Sequence, residues 1–158
     1  MEIYVNDNEI PDLLPISRME EEHTSVLGTT SDGKQFWGYE TFAYLKPKKE
    51  ILGKDWKDFR REYIVLHLFD ILGNHLTTKY YSGGMASNCD QGAMDMKFKQ
   101  WIDELGNFEF GDILIKLFQT EIDGIVFGLV PASDNSSVEL QPSSTIAFMP
   151  PWDGEYYT

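Results

Sequence analysis

The stretch "EYIVLHLFDILGNHLTTKYY", residues 62–81, decides the fold of this chain. Residues 63–69 are apolar on both alternating faces, which is typical of a strand that is covered on both sides. Residues 70–74 then supply a turn, because Gly73 and Asn74 tolerate left-handed backbone. The stretch therefore predicts a β-hairpin whose first strand lies in the middle of a sheet.

Two further segments repeat this pattern around an Asp-Gly pair, which favours a tight hairpin turn because glycine accepts positive φ. The pairs are Asp32-Gly33 within residues 26–45 and Asp123-Gly124 within residues 112–130. Two shorter strands are predicted from "VELQP" and "STIAFMP", residues 138–142 and 144–150.

One convincing helix interrupts the strands, in "SNCDQGAMDMKFKQWIDELGN", residues 87–107. Its apolar stripe, at helical spacing, consists of Phe98, Trp101, Ile102 and Leu105. Gly106 is placed to end the helix. A capping box is predicted at its start, either Asn88 with Gln91 or Ser87 with Asp90. A shorter helical turn is predicted around Trp56 and Phe59.

These elements predict an α+β fold, a mostly antiparallel β-sheet built from hairpins with one main helix packed on a face. The connections are too short for the crossovers that a parallel sheet needs. No repeat, linker or low-complexity tract divides the chain, so residues 1–158 are expected to form a single globular domain.

The charge is strongly negative and uneven. The net charge is −13, from 26 acidic residues against 13 Lys and Arg, and the pI is about 4.5. Residues 46–61 hold seven basic and three acidic residues, a local +4, so the remaining chain carries −17. Such a surface disfavours direct binding of nucleic acid, whose phosphates need a basic footprint. It favours a basic protein partner, which opposite charge steers into contact.

Several features indicate a cytoplasmic protein. The single cysteine, Cys89, excludes an internal disulfide. The opening "MEIYVNDNEI" lacks the basic and apolar regions of a signal peptide. No apolar run reaches the roughly 18 residues of a membrane span.

The residues that could carry chemistry form no recognisable motif. The histidines are His23, His67 and His75, and no metal-ligand spacing links them, so we expect no metal and no cofactor. His67 lies in an apolar strand and is interpreted as a hydrogen-bonded core or edge histidine. Cys89 stands near a helix start, where a lowered thiol pKa is expected, but no orienting residue or oxyanion hole accompanies it.

The ending "PPWDGEYYT", residues 150–158, is unusually aromatic. Left exposed, Trp152, Tyr156 and Tyr157 would form a large apolar patch. We expect this tail to fold back with Trp152 largely buried against the sheet, while a partner-facing aromatic patch is the alternative.

The same ending carries a resemblance. The segments "FGLVPASDN" and "PPWDGEYYT", with the upstream "LHLFDILGNHL", are similar to those of small uncharacterised bacterial proteins that close in Pro-Pro-Trp-Asp-Gly-x-Tyr. Some of these carry the automatic label of a formate hydrogenlyase regulatory protein. The group often ends in Tyr-Asp-Thr, whereas this chain ends in Tyr156-Tyr157-Thr158. In general style the chain also resembles small bacterial immunity proteins.

These observations predict a non-catalytic, acidic protein-binding module, an immunity or regulatory protein that neutralises a basic partner such as a toxin or an enzyme. The predicted partner-binding residues are Glu20, Glu21, Glu22, Asp134 and Glu139. One alternative is an enzyme or small-molecule-binding protein with a pocket between sheet and helix. Another is a structural subunit of a larger assembly.

Overall fold

The computed structural model describes residues 9–21 and 23–158. Within these ranges the chain forms eleven strands, one α-helix and two short 3-10 turns. The strands are β1 (Leu14–Ile16), β2 (Val26–Thr30), β3 (Gln35–Tyr44), β4 (Arg60–Phe69), β5 (His75–Met85), β6 (Phe108–Phe110), β7 (Ile113–Ile115), β8 (Gln119–Ile122), β9 (Ile125–Pro131), β10 (Val138–Gln141) and β11 (Ala147–Phe148). The helix α1 is Gln91–Glu104, and the 3-10 turns are Lys48–Glu50 and Trp56–Asp58.

The strands form three antiparallel sheets. A five-stranded sheet has the order β5-β4-β3-β2-β6, a four-stranded sheet has the order β11-β10-β9-β8, and β1 pairs with β7. All three predicted hairpins are confirmed, since β2 pairs with β3, β4 with β5 and β8 with β9. The fold is therefore α+β, mostly antiparallel, as the sequence predicts.

Strand β4 is covered on both faces, as its sequence indicates. Ile64 and Leu66 belong to a core beneath α1, whereas Tyr63 and Val65 belong to a larger core on the opposite face. That larger core also contains Phe127 and other side chains of the four-stranded sheet. The molecule thus has three layers, with the helix, the five-stranded sheet and the four-stranded sheet stacked in that order.

The helix packs tightly on its sheet through the predicted stripe. Met94 and Trp101 are buried, and Phe98 packs against the same core. Gly38 of β3 makes room for this contact, because a Cβ there would stand 2.7 Å from the Phe98 ring. The helix–sheet interface is consequently filled by side chains.

The ends of α1 correct one prediction and confirm another. The N-cap is Asp90, whose carboxylate accepts a hydrogen bond from the Ala93 N–H, so neither predicted capping box forms. Asn88 instead accepts from the Met85 N–H and shapes the turn that precedes the helix. The helix ends as predicted, with Gly106 at φ +74°.

The aromatic tail folds back onto the molecule. Tyr157 bridges to Ala147 beside β11, and the Gly154 carbonyl accepts a hydrogen bond from the Ser17 N–H. Tyr156 and Trp152 pack against the larger core. Trp152 packs against this core as expected, with its indole Nε1 buried and a minor part of the residue exposed.

Candidate functional site

Besides its outer strands β5 and β6, the five-stranded sheet has an open edge at the second half of β3. Strand β2 pairs with residues 35–38 of β3, while β4 pairs with its whole length, residues 35–44. Residues 39–44, here called the edge segment, therefore have a strand neighbour on one side. An unpaired strand edge presents backbone donors and acceptors to whatever lies beside it.

The backbone groups of the edge segment point outward in a defined pattern. The Leu45 N–H donates to the Phe59 carbonyl, whereas the Arg60 carbonyl accepts from Ala86 on the β5 side. Since hydrogen-bonded and non-bonded pairs alternate in an antiparallel ladder, odd residues of β3 bond to β4 and even residues face away. Glu40, Phe42 and Tyr44 thus direct their N–H and C=O groups outward, and no backbone acceptor for these N–H groups occurs within residues 9–21 and 23–158.

A cavity of about 620 Å³ lies over this edge. Glu40 and Phe42 line it from the helix side of the sheet, and Thr41 lines it from the opposite side. Because side chains from both faces of one strand reach the same cavity, the cavity wraps around the edge of β3. The Thr41 hydroxyl is buried, with 7% of the residue exposed, and has no hydrogen-bond partner in the described part of the chain.

At one end of the edge segment lies the basic loop, residues 45–59, which connects β3 to β4. It lines a groove of about 910 Å³. Large apolar side chains stand exposed in this groove, with Leu52 at 70% and Trp56 at 42%. Lys46 and Lys54 line the same groove, and both ammonium groups lie within 6 Å of the Phe59 ring centroid. The groove can therefore hold apolar and anionic groups together.

Arg60 joins the basic loop to the edge segment. Its guanidinium lies 4.1 Å from the Phe42 ring centroid and 4.6 Å from that of Trp56. It also forms an ion pair with Glu62. An arginine held between two aromatic faces and a carboxylate has little freedom, so it fixes the start of β4 against the loop.

At the other end of the edge segment the charge is negative. Gln91, at the start of α1, donates to the carboxylates of Glu40 and Asp95. Burial, followed by the charges of Glu62, Glu40, Asp90 and Asp95, raises the pKa of the Cys89 thiol. The expected lowering is therefore wrong, because burial of the sulfur and the four carboxylates around it both disfavour the thiolate. The Cys89 thiol contacts the Met94 sulfur at 3.3 Å and is a protonated packing group.

His67 is a core histidine, as predicted. Tyr39 Oη lies 2.8 Å from His67 Nε2, and Thr78 Oγ1 lies 2.7 Å from Nδ1. The Thr78 hydroxyl also contacts His75 Nε2 at 2.7 Å. Burial lowers the pKa of His67 to about 3 and raises that of Tyr39. This chain of neutral groups satisfies buried polar atoms and lies away from the cavities described above.

Neither a metal site nor a membrane-spanning helix is found among the described residues. No group of three or more His, Cys, Asp or Glu side chains there is arranged to hold a metal ion. Among the same residues, no helix has the length and apolar character required to cross a bilayer.

The predicted acidic residues are spread over the surface. Glu20 and Glu21 are exposed in the connection between β1 and β2, and Glu22 lies outside the described residues. Asp134 is exposed in the β9–β10 turn, where hydrogen bonds from Ser136 lower its pKa. Glu139 is half-buried on β10. The structure does not gather them into one hydrogen-bonded cluster, and their role in binding stays a prediction.

No protein-family model, curated protein sequence or solved structure matches this chain. The site must therefore be judged on its own geometry. Sequence reasoning identified the basic stretch but missed the edge segment. The available signal was the length of the strands, since "QFWGYETFAY" continues well beyond what the short run "VLGTT" can pair.

Proposed function

We propose that this chain is a non-catalytic protein-binding module that binds, and thereby neutralises or regulates, a basic partner protein. The observation that carries the proposal is its surplus of free negative charge. Ion pairs within the described residues engage the carboxylates of Asp32, Glu62, Glu104 and Asp123. Glu20, Glu21 and Asp134 are exposed without such a pair, so they are available to an external cation.

The reactive side chains support the non-catalytic part of the proposal. His67 is bonded at both ring nitrogens and its pKa is far below neutral. The raised pKa of Cys89 keeps its sulfur a thiol, which is a weak nucleophile. Neither group is poised for acid–base or nucleophilic work at neutral pH.

The packing gives less support to an enzyme or small-molecule-binding protein with a pocket between sheet and helix. Met94, Phe98 and Trp101 occupy the interface between α1 and the sheet, and Gly38 lets the Phe98 ring approach the backbone. Side chains therefore fill the middle of this interface, and the cavity of about 620 Å³ that Gln91 and Met94 help to line lies at its edge, by the start of α1.

An immunity or regulatory role agrees with this acidic surface, because strong opposite charge speeds the capture of a basic toxin or enzyme. In general style the chain also resembles small bacterial immunity proteins. Gene neighbourhood offers a direct check on the biological role: a toxin gene beside this one is expected, and a metabolic operon would contradict immunity.

Binding is tested by reversing the predicted acids. The wild-type chain serves as bait in an extract of its source cells, and the purified basic partner is then measured by stopped-flow association. The pairs E20K/E21K and D134K/E139K should each slow association on the order of tenfold and flatten its salt dependence. The matched control D103K/E109K makes the same charge change at exposed positions of α1 and β6.

Equal rates and salt slopes for all the variants would remove these acids from the interface. If all three pairs slow association equally, net charge rather than a defined surface governs capture. The thermal melting of each variant is measured in parallel, because reversal of the exposed acids should leave the fold intact, whereas Glu139 is half-buried.

A further inference from the structure

We propose that the edge segment of β3 is the docking site for an extended segment of a partner protein, which adds to the five-stranded sheet as a further strand beside residues 39–44. The occupant carries basic side chains at one end and acidic side chains at the other. This inference rests on the proposed protein-binding function and names the place where the partner binds.

The first support is the hydrogen-bonding pattern of the edge. Phe42 and Tyr44 present alternate N–H and C=O groups, at the spacing that a partner strand requires. In the first half of β3 the same even-numbered positions bond to β2, with Gly28 opposite Phe36 and Val26 opposite Gly38. An added strand would lie beside β3 in line with β2, on the stretch of β3 that begins after the pair Val26–Gly38.

The second support is the space beside the edge. The cavity over the edge segment has a volume of about 620 Å³. Thr41 is one of its lining residues, and the Thr41 hydroxyl is buried without a partner among the described groups. An unsatisfied buried hydroxyl costs free energy, which a polar group of the incoming strand would recover. Ser143 and Thr145 of the β10–β11 turn line the far wall and add further polar contacts.

The third support is charge complementarity along the edge. At residue 40 stand the carboxylates of Glu40 and Asp95, since Arg60 neutralises the nearby Glu62. Beyond residue 44 the groove of the basic loop carries Lys46 and Lys54. The two ends of the edge thus differ in sign. A segment with Lys or Arg at the first end and Asp or Glu at the second matches both, and its apolar side chains can cover Leu52 and Trp56.

The free protein provides the first test. Amide exchange measured by NMR should show fast exchange at Phe42 and Tyr44 and slow exchange at Thr41 and Ala43, because only the odd residues bond to β4. Protection of Phe42 and Tyr44 equal to that of their neighbours would mean that the edge is closed, and would overturn the proposal.

The second test uses a phage-displayed library of random twelve-residue peptides as the probe. Selection on the wild-type chain should yield peptides with basic residues at one end and acidic residues at the other. Phe42→Pro removes the outward N–H and should weaken their binding at least tenfold. The matched variant Phe42→Val loses the same ring and its contact with Arg60 but keeps the N–H, so it should retain most of the affinity that Phe42→Pro loses.

The charges of the loop are tested in the same format. K46E/K54E should weaken the selected peptides at least fivefold, while the control K97E/K99E on α1 should not. Failure to select any peptide, or peptides that bind Phe42→Pro as tightly as the wild type, would overturn the docking site. Folding of each variant is checked first by the dispersion of its NMR spectrum.

Two further outcomes would show that the edge segment binds a second copy of this chain, or that the partner binds elsewhere. A dimer in sedimentation velocity that Phe42→Pro dissociates would give the edge to a second copy of this chain and overturn the proposal. A natural partner that binds Phe42→Pro normally but loses affinity for E20K/E21K would keep the proposed function and reject this docking site.

Discussion

The two halves of β3 differ although they belong to one continuous strand. Residues 35–38 lie between β2 and β4, and Phe36, Trp37 and Gly38 are buried there. The edge segment, residues 39–44, has β4 on one side and a cavity on the other. The first half is hydrogen-bonded to a strand on each side. The second half leaves the backbone N–H and C=O groups of its even-numbered residues without a strand partner.

The connection before β2 explains where the first half ends. The Met19 N–H donates to the Thr24 carbonyl, which closes a tight loop at the start of the strand. Trp37 then donates its indole N–H to the His23 carbonyl and holds that loop over the face of the sheet. The chain therefore leaves the edge of β3 at this point. The paired half of β3 ends at the pair Val26–Gly38, where β2 begins.

The strongest way to break this comparison is to remove Trp37. The side chain is fully buried, so Trp37→Ala should lower the free energy of unfolding by about 3–5 kcal/mol. Tyr44→Ala, in the free half of the same strand, should cost less than about 1 kcal/mol because its ring is nearly half exposed. Chemical denaturation of both variants measures the difference. Equal losses would contradict the division of β3 into two halves.

A fall in pH tests the stability of the paired half of β3, because His67 of β4 lies opposite Trp37 in that half. The unfolded chain protonates this histidine near pH 6.5, while the folded chain resists protonation down to about pH 3. Stability should therefore fall as the pH drops from 6.5 to 4.5, by about 2–3 kcal/mol in total at roughly 1.4 kcal/mol per pH unit. Burial also lowers the pKa of His75, which acts in the same direction.

The control for this titration is His67→Gln, whose amide can still bond to Tyr39 and Thr78. Denaturation series across the same pH range should show a flatter dependence for the variant, even if it is less stable at pH 7. A slope identical to that of the wild type would assign the acid sensitivity to other groups.

The smallest expected effect concerns the tail, which packs behind the paired half through contact of Phe148 with both Trp37 and Tyr156. Trp152→Ala should lower the free energy of unfolding by about 1–2 kcal/mol, since the ring is partly buried. The control Tyr157→Ala removes an exposed ring and should cost about half a kcal/mol at most. Thermal melting distinguishes them, and no loss for Trp152→Ala would make the tail a surface feature.

The features that the sequence predicts well are local. Asp32-Gly33 and Asp123-Gly124 specify their hairpins because turn geometry depends on two or three residues. The helix stripe is equally readable, since spacing alone places Trp101 and Phe98 on one face. The N-cap of α1 was predicted at the wrong residue, because Asn88 and Asp90 are both good N-caps. Only the fold decides which of the two bonds to the helix, and it is Asp90.

The features that the sequence could not supply arise from distant strands. The division into a five-stranded and a four-stranded sheet depends on which hairpins pair, and composition does not encode that choice. The pKa of Cys89 was predicted in the wrong direction because the burial of its sulfur, and the approach of Glu62 and Glu40 from β4 and β3, arise only when distant strands pack together. The edge segment escaped notice for the same reason, as an unpaired edge exists only once its neighbours are known.

The clamp on Arg60 has a consequence for the thermodynamics of association. A long basic loop would normally lose conformational entropy when a partner orders it, and that loss weakens binding. Here the stacking of Arg60 between Phe42 and Trp56 already ties the loop to the rim of the sheet. A ligand arriving at this rim meets a preorganised surface, and calorimetry should then record a smaller entropic penalty than loop length alone implies.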